Sequence, residues 1–353
     1  MTITRKRFIG SLLAASGSVF LKACAHGEQS TGFEGSWQPA YAKLEEQGRL
    51  ASRIDRAYAS FEKCELCPRR CGTNRLAGQR GFCRAPAEAV VHSHQPHFGE
   101  ELPLVGRNGS GTIFFSNCNL RCVFCQNWPI AHEGRGRAVS DERLADMMLD
   151  LQRKGCHNIN LVTPTHVMPN ILAATRIALK KGLRVPLCYN TGGYELPENI
   201  RLLDGIVDIY LPDLKYMDGR EASRYAAAAE DYPALAQQSI MEMHRQVGDL
   251  VKGAGGVAER GLMVRHLVMP NNVAGTGEFV KWVAANLSRS TYVNIMSQYR
   301  VEHRAFEYPR IARAITAEEF LEAMLWAEET GLRNLDSRSL SQRDIFRRRL
   351  SVR

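Results

Sequence analysis

The sequence predicts an α/β fold, a partial (β/α)6 barrel of TIM type preceded by a cysteine-rich segment. Three observations support this prediction. From Gly111 onward, apolar stretches of strand length alternate with helical patterns. Seven of the ten cysteines lie between Cys64 and Cys125. The chain has 353 residues, which is long enough for one barrel-sized domain with extensions.

The barrel is predicted over residues 111–335, where six apolar runs indicate strands. They are residues 112–116, 158–162, 185–189, 206–211, 262–268 and 293–297. Because a crossover helix returns the chain to start the next strand in the same direction, the six strands are expected to be parallel. Six units fall short of the eight that close a barrel, so we expect one side to be open.

Capping residues mark the expected helix boundaries. Between the first two strands, apolar residues repeat at helical spacing, namely Leu144, Met147, Met148 and Leu151. Ser140 is the expected N-cap of this helix, and Gly155 is its expected end. Thr316 and Glu319 form a capping-box pattern ahead of the last apolar helix.

Two further segments flank the barrel. Residues 31–110 are predicted to form a linker, a short helix around 40–61 and a cysteine-rich metal-binding segment with little periodicity. Residues 336–353 are predicted to form a basic tail, which contributes to the net charge of +9. Aromatic residues do not interleave with this charge as they do in single-strand binders, so nucleic acid is not an expected partner.

The most informative motif is a loop of three cysteines, Cys118, Cys122 and Cys125, spaced C-x3-C-x2-C directly after the first strand. Three thiolates can bind three irons of a [4Fe–4S] cluster and leave the fourth iron open to a small molecule. Three cysteines cannot pair among themselves, and a zinc site would usually need a fourth ligand. Ligands of parallel sheets collect at the carboxyl ends of the strands, where this loop begins.

An open iron can take the amine and carboxylate of S-adenosylmethionine (SAM). One electron from the cluster then breaks a carbon–sulfur bond of the sulfonium and gives a 5'-deoxyadenosyl radical, which removes hydrogen from an unactivated C–H bond. The cofactor carries this difficult step, while the protein supplies orientation and excludes water.

The three-cysteine loop, with the aromatic Phe124 just before its last cysteine, resembles the radical SAM superfamily. Within it, the chain resembles the group related to the pyruvate formate-lyase activating enzyme. The stretches that support this likeness are residues 64–72, 96–101, 125–128, 189–195, 211–215, 264–268 and 331–335. The resemblance covers roughly Cys64 to Leu335. It implies a protein or peptide substrate, such as a glycine in a partner, and a flavodoxin- or ferredoxin-like electron donor.

The resemblance also implies roles for single residues. Phe124 would pack near the adenine, and Arg265 would face the ribose or the carboxylate of SAM. Four polar residues after the third and fourth strands would reach the cofactor, namely Asn190, Thr191, Asp213 and Lys215. The alternative is that these residues are only structural. Asp213 and Lys215 would then form a surface ion pair that contributes little to stability, and Arg265 would only line a wall of the barrel.

One segment departs from the family pattern. The family usually places Gly-Gly-Glu after the second strand, where it receives the methionine amine. Here that strand continues into Thr163-Pro164-Thr165-His166. Thr163, Thr165 or His166 would have to replace the missing segment.

A second set of cysteines, Cys64, Cys67, Cys71 and Cys83, precedes the barrel. Four thiolates can fill every corner of a second [4Fe–4S] cluster or close a tetrahedral zinc site. Two disulfides are the third interpretation, which an oxidising compartment would favour. A second cluster could relay electrons, whereas zinc would only hold the segment together.

The predicted function is that of a radical SAM enzyme that cleaves SAM and abstracts hydrogen from a substrate. The alternative from another class is a non-catalytic iron–sulfur electron carrier or redox sensor, but a carrier would be expected to have every cluster corner ligated. A third interpretation is a zinc-containing binding module, which the barrel pattern disfavours.

The first thirty residues have the pattern of an export signal. A basic start around Arg5 and Arg7 precedes an apolar stretch and then Cys24. The start resembles a degenerate twin-arginine signal, and Lys22 spoils a lipoprotein-like site that would anchor the chain to a membrane through Cys24. The alternative is an uncleaved N-terminal extension. Because SAM is made in the cytoplasm, the predicted chemistry indicates a cytoplasmic protein, whereas the N-terminal pattern indicates export.

Overall fold

A computed structural model describes residues 37–351, and within them nine strands form one sheet. The strands are β1 (Ala89–His97), β2 (Ser110–Phe115), β3 (Arg137–Val139), β4 (Ile159–Val162), β5 (Leu187–Thr191), β6 (Ile209–Pro212), β7 (Val251–Lys252), β8 (Ala258–Leu267) and β9 (Tyr292–Met296). The six predicted strands are β2, β4, β5, β6, β8 and β9, each within a few residues of its expected bounds.

Twelve α-helices accompany the sheet in the same part of the chain. They are α1 (Ala40–Glu46), α2 (Leu50–Ala59), α3 (Leu102–Val105), α4 (Trp128–Ala131), α5 (Asp141–Arg153), α6 (Met168–Lys180), α7 (Pro197–Leu202), α8 (Gly219–Tyr225), α9 (Tyr232–Val247), α10 (Thr276–Asn286), α11 (Ala317–Glu329) and α12 (Ser337–Ser351). The single short helix expected around residues 40–61 is therefore two helices, α1 and α2.

The predicted parallel order is confirmed. Strands β2, β4, β5, β6, β8 and β9 pair in that order, and every one of these pairings is parallel. Every residue of β5 and β6 is buried, as in parallel sheets whose two faces are both covered. Within residues 37–351, β9 pairs along its length only with β8, so the barrel stays open.

The expected helix caps also form. The Ser140 hydroxyl accepts a hydrogen bond from the backbone N–H of Arg143 at the start of α5. Thr316 and Glu319 make both hydrogen bonds of a capping box ahead of α11. These caps satisfy N–H groups that the first turn of a helix otherwise leaves without partners.

The cysteine-rich segment contributes a strand that its sequence pattern did not indicate. Strand β1 pairs antiparallel with β2 and with the short strand β3, and extends the sheet beyond the barrel. Pro96 lies inside β1, and only part of this strand is buried, so neither composition nor alternation marks it as a strand. The boundary expected at residue 110 therefore falls inside a continuous sheet.

The chain leaves β1 at the amino end of the barrel, because His97 lies opposite Ser110, the first residue of β2. It then enters the barrel through α3. Leu104 is fully buried, and its carbonyl oxygen accepts a hydrogen bond from the Asn158 amide at 2.8 Å. This insertion fills the amino end of the barrel and carries Glu100 and Glu101 into its interior.

The segment expected as a basic tail is the helix α12. Asp336 and Ser339 at its start are buried, and the Ser339 hydroxyl donates to the carbonyl oxygen of Ile295 at 2.8 Å. The Tyr292 hydroxyl donates to Asp336. Arginines on the exposed side of α12 dominate the composition of this segment. The few residues that anchor the helix therefore did not stand out in the sequence.

The predicted export signal and its Cys24 lie outside the described residues. Among residues 37–351, no helix combines the length and the apolar character needed to span a bilayer.

Candidate metal and cofactor site

The three-cysteine loop lies at the carboxyl end of β2, on the rim of a cavity of about 270 Å³. Asn117 and Arg121 have φ angles of 76° and 51°, and these left-handed positions bend the backbone of the loop. Cys118, Cys122 and Cys125 all border the cavity. Its opposite wall comes from the ends of the other parallel strands and includes Thr163, Asn190, Thr191, Asp213, Lys215 and Arg265.

The donor set of this loop fits an iron–sulfur cluster, because thiolate sulfur is the usual ligand of cluster iron. Burial raises the pKa of the Cys125 thiol to about 12 and that of Cys122 further, while the charge of Lys215 opposes the rise at both. The backbone N–H of Leu120 donates to the Cys118 sulfur at 3.4 Å. Within the described residues, no three His, Cys, Asp or Glu side chains converge on a single-ion site.

A buried ionic group faces the cysteines across the cavity. Asp213 accepts hydrogen bonds from the Lys215 ammonium at 2.5 Å and from Arg265 Nε at 2.7 Å. Burial alone would raise the pKa of Asp213, but the charges of Arg265 and Lys215 hold it below its usual value. Asp213 and Lys215 are therefore not a surface pair.

Arg265 holds this group together. Its terminal nitrogens donate to Asn190 Oδ1 at 2.6 Å and to Glu100 Oε2 at 3.2 Å. The structure thus brings together Asn190, Asp213, Lys215 and Arg265, all of which were singled out from the sequence. Glu100 was missed as a site residue, although it lies in one of the stretches that carried the family resemblance.

Phe124 borders the same cavity and is only 6% exposed. Its ring lies 5.7 Å from the Tyr299 ring and 6.4 Å from the Tyr216 ring, measured between centroids. This aromatic group gives the cavity an apolar side beside the cysteine loop.

The structure corrects the placement of Thr165. Thr163 and Thr191 border the cavity, and Thr163 has a φ of 61° where β4 ends. The Thr165 hydroxyl instead donates to Oε1 of the buried Glu195 side chain at 2.6 Å. Among the described residues, Thr165 is not one of those that line the cavity. His166 is also buried, with Nε2 2.7 Å from the Ser116 carbonyl oxygen.

The second cysteine set forms a tight loop before β1. Cys64, Cys67 and Cys83 are buried, and Cys71 accepts a hydrogen bond at its sulfur from the Phe82 N–H at 3.2 Å. A side chain at Gly81 would lie 2.7 Å from the Cys71 sulfur, so this position requires glycine. Burial raises the pKa of the Cys67 and Cys83 thiols. All nine cysteines in the described part of the chain are free in this structure.

A buried arginine lies beside this set. Arg75 is 2% exposed and donates to the carbonyl oxygens of Pro86 and His166. Its guanidinium carbon lies 4.2 Å from the centre of the Phe61 ring. Burial lowers the pKa of Arg75, and the nearby Cys83 and Cys64 oppose this effect. A cation in this place would offset the charge of thiolates bound to a metal centre.

Comparison with known proteins is consistent with this geometry. The family description "Radical SAM superfamily" matches residues 112–232. An uncharacterized protein of Methanocaldococcus jannaschii is 30% identical over 292 residues, which are 80% of this chain and 79% of the relative.

Two solved structures align with this chain at low sequence identity. TYW1 with a lysine–pyruvate adduct bound has 11% identity and a TM-score of 0.38, with 62% of this chain and 73% of that chain covered. Methylornithine synthase has 12% identity and a TM-score of 0.40, with 84% and 85% covered. The narrower likeness to the activating-enzyme group stays a prediction. On the strength of the cysteine loop, the family match and the relative aligned along most of its length, this chain belongs to the radical SAM superfamily.

Proposed function

We propose that this chain cleaves SAM reductively at a [4Fe–4S] cluster bound by Cys118, Cys122 and Cys125, and abstracts hydrogen from a protein or peptide substrate. Membership of the superfamily supports an enzyme with SAM-cleaving radical chemistry and implies the cluster and SAM as cofactors. One observation carries the proposal: the three thiols and the buried ionic group around Asp213 border the same cavity.

When bound, the cluster supplies the electron that cleaves SAM to the 5'-deoxyadenosyl radical. The residues of the chain bind SAM and orient it. Asp213 and Asn190 offer acceptors to the polar groups of SAM, Arg265 offers donors, and Phe124 offers an apolar face for the adenine. Because these charged groups are buried and already paired, they need little rearrangement when a ligand binds.

The partner of the methionine amine is proposed to be Thr163. It stands where β4 ends, borders the cavity and has its backbone N–H bonded to the Asn190 carbonyl oxygen at 2.9 Å. This bond leaves the Thr163 hydroxyl and carbonyl available as acceptors. Thr191 borders the cavity too, but its hydroxyl donates to Glu195.

We further propose that Cys64, Cys67, Cys71 and Cys83 hold a second [4Fe–4S] cluster. Zinc is the alternative, but it would require the thiols to move closer together, since no three of them converge on one ion in the described structure. Four thiols within one short segment can fill all four corners of a cluster. The segment contacts the three-cysteine loop directly, since Arg69 donates to the Asn119 carbonyl oxygen. A cluster there would be placed to pass electrons from a flavodoxin- or ferredoxin-like donor.

The decisive experiment measures 5'-deoxyadenosine. The full chain is purified without oxygen, supplied with iron and sulfide, reduced with dithionite and incubated with SAM. We expect 5'-deoxyadenosine from the wild type and from the control C156A, which lies outside both cysteine sets, and none from C118A, C122A or C125A.

The non-catalytic carrier is the second candidate function. Two cysteine sets in direct contact are what an electron carrier would also need. A wild-type cluster that is reduced by dithionite but yields no 5'-deoxyadenosine would overturn the proposal and favour the carrier.

A further inference from the structure

A second cavity of about 320 Å³ adjoins the SAM-binding cavity proposed above. Arg265, Met296 and Gln298 border both cavities, so the two spaces are neighbours. The second cavity lies between β9, the helix α12 and the residues that follow β1. Its other walls include Glu100, Glu101, Asn294, Arg338 and Gln342.

Glu101 is the unusual residue of this cavity. It is 2% exposed, and its Oε1 accepts a hydrogen bond from the Asn294 amide at 2.8 Å. Its Oε2 is buried and has no hydrogen-bond partner within residues 37–351. A buried carboxylate oxygen without a donor is costly, because water solvates it well and the protein here does not. A hydrogen-bond donor bound in the cavity would satisfy this oxygen.

The arginines near Glu101 are bonded to other groups. Arg265 donates to Asp213 at 2.7 Å and to Glu100 at 3.2 Å. Burial raises the pKa of Glu101 to about 6, which Arg265 opposes and Glu100 increases.

The second arginine of the lining, Arg338, lies at the outer rim. It donates to the backbone carbonyl oxygens of Gly99 at 2.6 Å and Phe98 at 3.4 Å. Two carboxylates and two arginines line the cavity, but neither arginine donates to Glu101. Among residues 37–351, the Glu101 carboxyl therefore lacks a cationic hydrogen-bond partner, which favours a cationic donor.

We propose that this second cavity is the substrate site and that it takes an ammonium or guanidinium group, whose N–H donors bind Glu101 Oε2. This inference rests on the proposed function, since the adjoining cavity must be the place where the radical forms. The cationic group would fix one end of the substrate, and the remainder would extend past Met296 and Gln298 toward the cysteine loop.

The test uses three probes of equal chain length that differ in one group: pentylamine, pentanoate and pentan-1-ol. Each is titrated calorimetrically into the full chain with its cluster reconstituted. We expect pentylamine to bind about tenfold or more tightly than the other two, since a charged hydrogen bond is lost when the ammonium is absent. Equal affinity of the three probes would overturn the proposal and leave a water-filled cavity.

Two variants locate the binding. E101Q keeps the shape of the side chain and removes its charge, so pentylamine should bind about tenfold more weakly. The control is E322Q on the exposed face of α11, which should bind pentylamine as the wild type does. Unchanged binding by E101Q would contradict the proposal.

If thermal unfolding shows that E101Q is not folded, Q342W takes its place. This substitution fills the rim of the cavity without altering Glu101, and it should also abolish the preference for pentylamine. Binding by Q342W equal to the wild type would contradict the proposed location.

The cation could belong to a peptide or to a small amine. Two acetylated peptides, one with a single lysine and one with a single norleucine in its place, distinguish these sources. Preferential binding of the lysine peptide supports a peptide substrate, and binding of pentylamine without the peptide supports a small amine. Formation of 5'-deoxyadenosine by the wild type is measured in parallel. If 5'-deoxyadenosine forms but pentylamine binds no more tightly than the other probes, this inference is overturned and the proposed function stands. If pentylamine binds preferentially but no 5'-deoxyadenosine forms, the proposed function is overturned and the cavity remains an amine-binding site.

Discussion

Arg69 donates from Nε to the carbonyl oxygen of Asn119 at 3.0 Å, and this bond joins the two cysteine-bearing segments. Asn119 lies between Cys118 and Cys122, whereas Arg69 lies between Cys67 and Cys71. A second nitrogen of Arg69 donates to the Ala226 carbonyl oxygen at 3.1 Å. The guanidinium also lies 4.0 Å from the centre of the Phe82 ring. The orientation of the three-cysteine loop therefore depends on the segment that precedes the barrel.

Replacing this arginine should loosen both segments. In R69M, the carbonyl oxygens of Asn119 and Ala226 lose a charged donor, and we expect the free energy of unfolding to fall by about 2–3 kcal/mol. The measurement is denaturant unfolding, with iron retained after gel filtration as a second readout. The control is R70M, because Arg70 is exposed and its ion pair with Glu198 lies at the surface. Equal losses in the two variants would show that the Arg69 contacts do not hold the segments together.

The metal content of single-cysteine variants distinguishes the two proposed centres. If both cysteine sets hold [4Fe–4S] clusters, the reconstituted wild type should contain about eight irons per chain, and C64A about four. C118A should also fall to about four, because this substitution leaves all four thiols of the other set in place. The measurement is metal analysis by mass spectrometry, with C156A as the control. About four irons and one zinc in the wild type, with the zinc lost in C64A, would favour the zinc alternative instead.

The buried ionic group makes Asp213 a sensitive position. D213N keeps the volume of the side chain but leaves Arg265 and Lys215 without their shared counter-charge. Removing one partner of a buried pair costs about 3–5 kcal/mol, so we expect a loss of this size in the free energy of unfolding. D146N is the matched control, because Asp146 pairs with Lys181 at the surface and should contribute about 1 kcal/mol at most.

The comparison of these two variants tests whether the ionic group is buried in solution. Similar unfolding midpoints for D213N and D146N would show that Asp213 is solvated. On the proposed function, D213N should also bind SAM more weakly than the wild type, which equilibrium dialysis of the reconstituted protein can measure.

The sequence predicted the parallel strands because their signals are local. Each has an apolar run, and glycine, proline or capping residues mark the helices between them. The sequence did not predict the pairing of Glu100 with Arg265, because the two residues are 165 positions apart and α3 carries no helical periodicity. For the same reason, Thr165 could not be separated from Thr163. Both follow β4, and only the tertiary structure shows that Thr165 faces Glu195.

Glu195 is a buried carboxylic acid that has no cationic partner among residues 37–351. It is 1% exposed, and its Oε1 accepts hydrogen bonds from the hydroxyls of Thr165 at 2.6 Å and Thr191 at 2.5 Å. Burial raises the pKa of Glu195 to about 7, and the two threonines only partly offset this effect. Asp208, which accepts from the Ala40 and Leu187 N–H groups, has its pKa raised to about 7 by burial as well.

These raised values predict that stability falls as the pH rises. The folded protein holds the Glu195 proton up to about pH 7, whereas the unfolded chain releases it near 4.5. Its contribution is therefore fully present below pH 4.5 and is lost as the pH rises through 7. Between pH 5 and pH 8, the free energy of unfolding of the wild type should fall by about 2.5 kcal/mol more than that of E195Q. Asp208 contributes equally to both proteins, so its effect cancels in this difference, as does any constant cost of the glutamine.

The measurement is urea unfolding at each pH, with E198Q on the surface as the control. A difference of zero would show that the Glu195 carboxyl is ionised in the folded protein at pH 5.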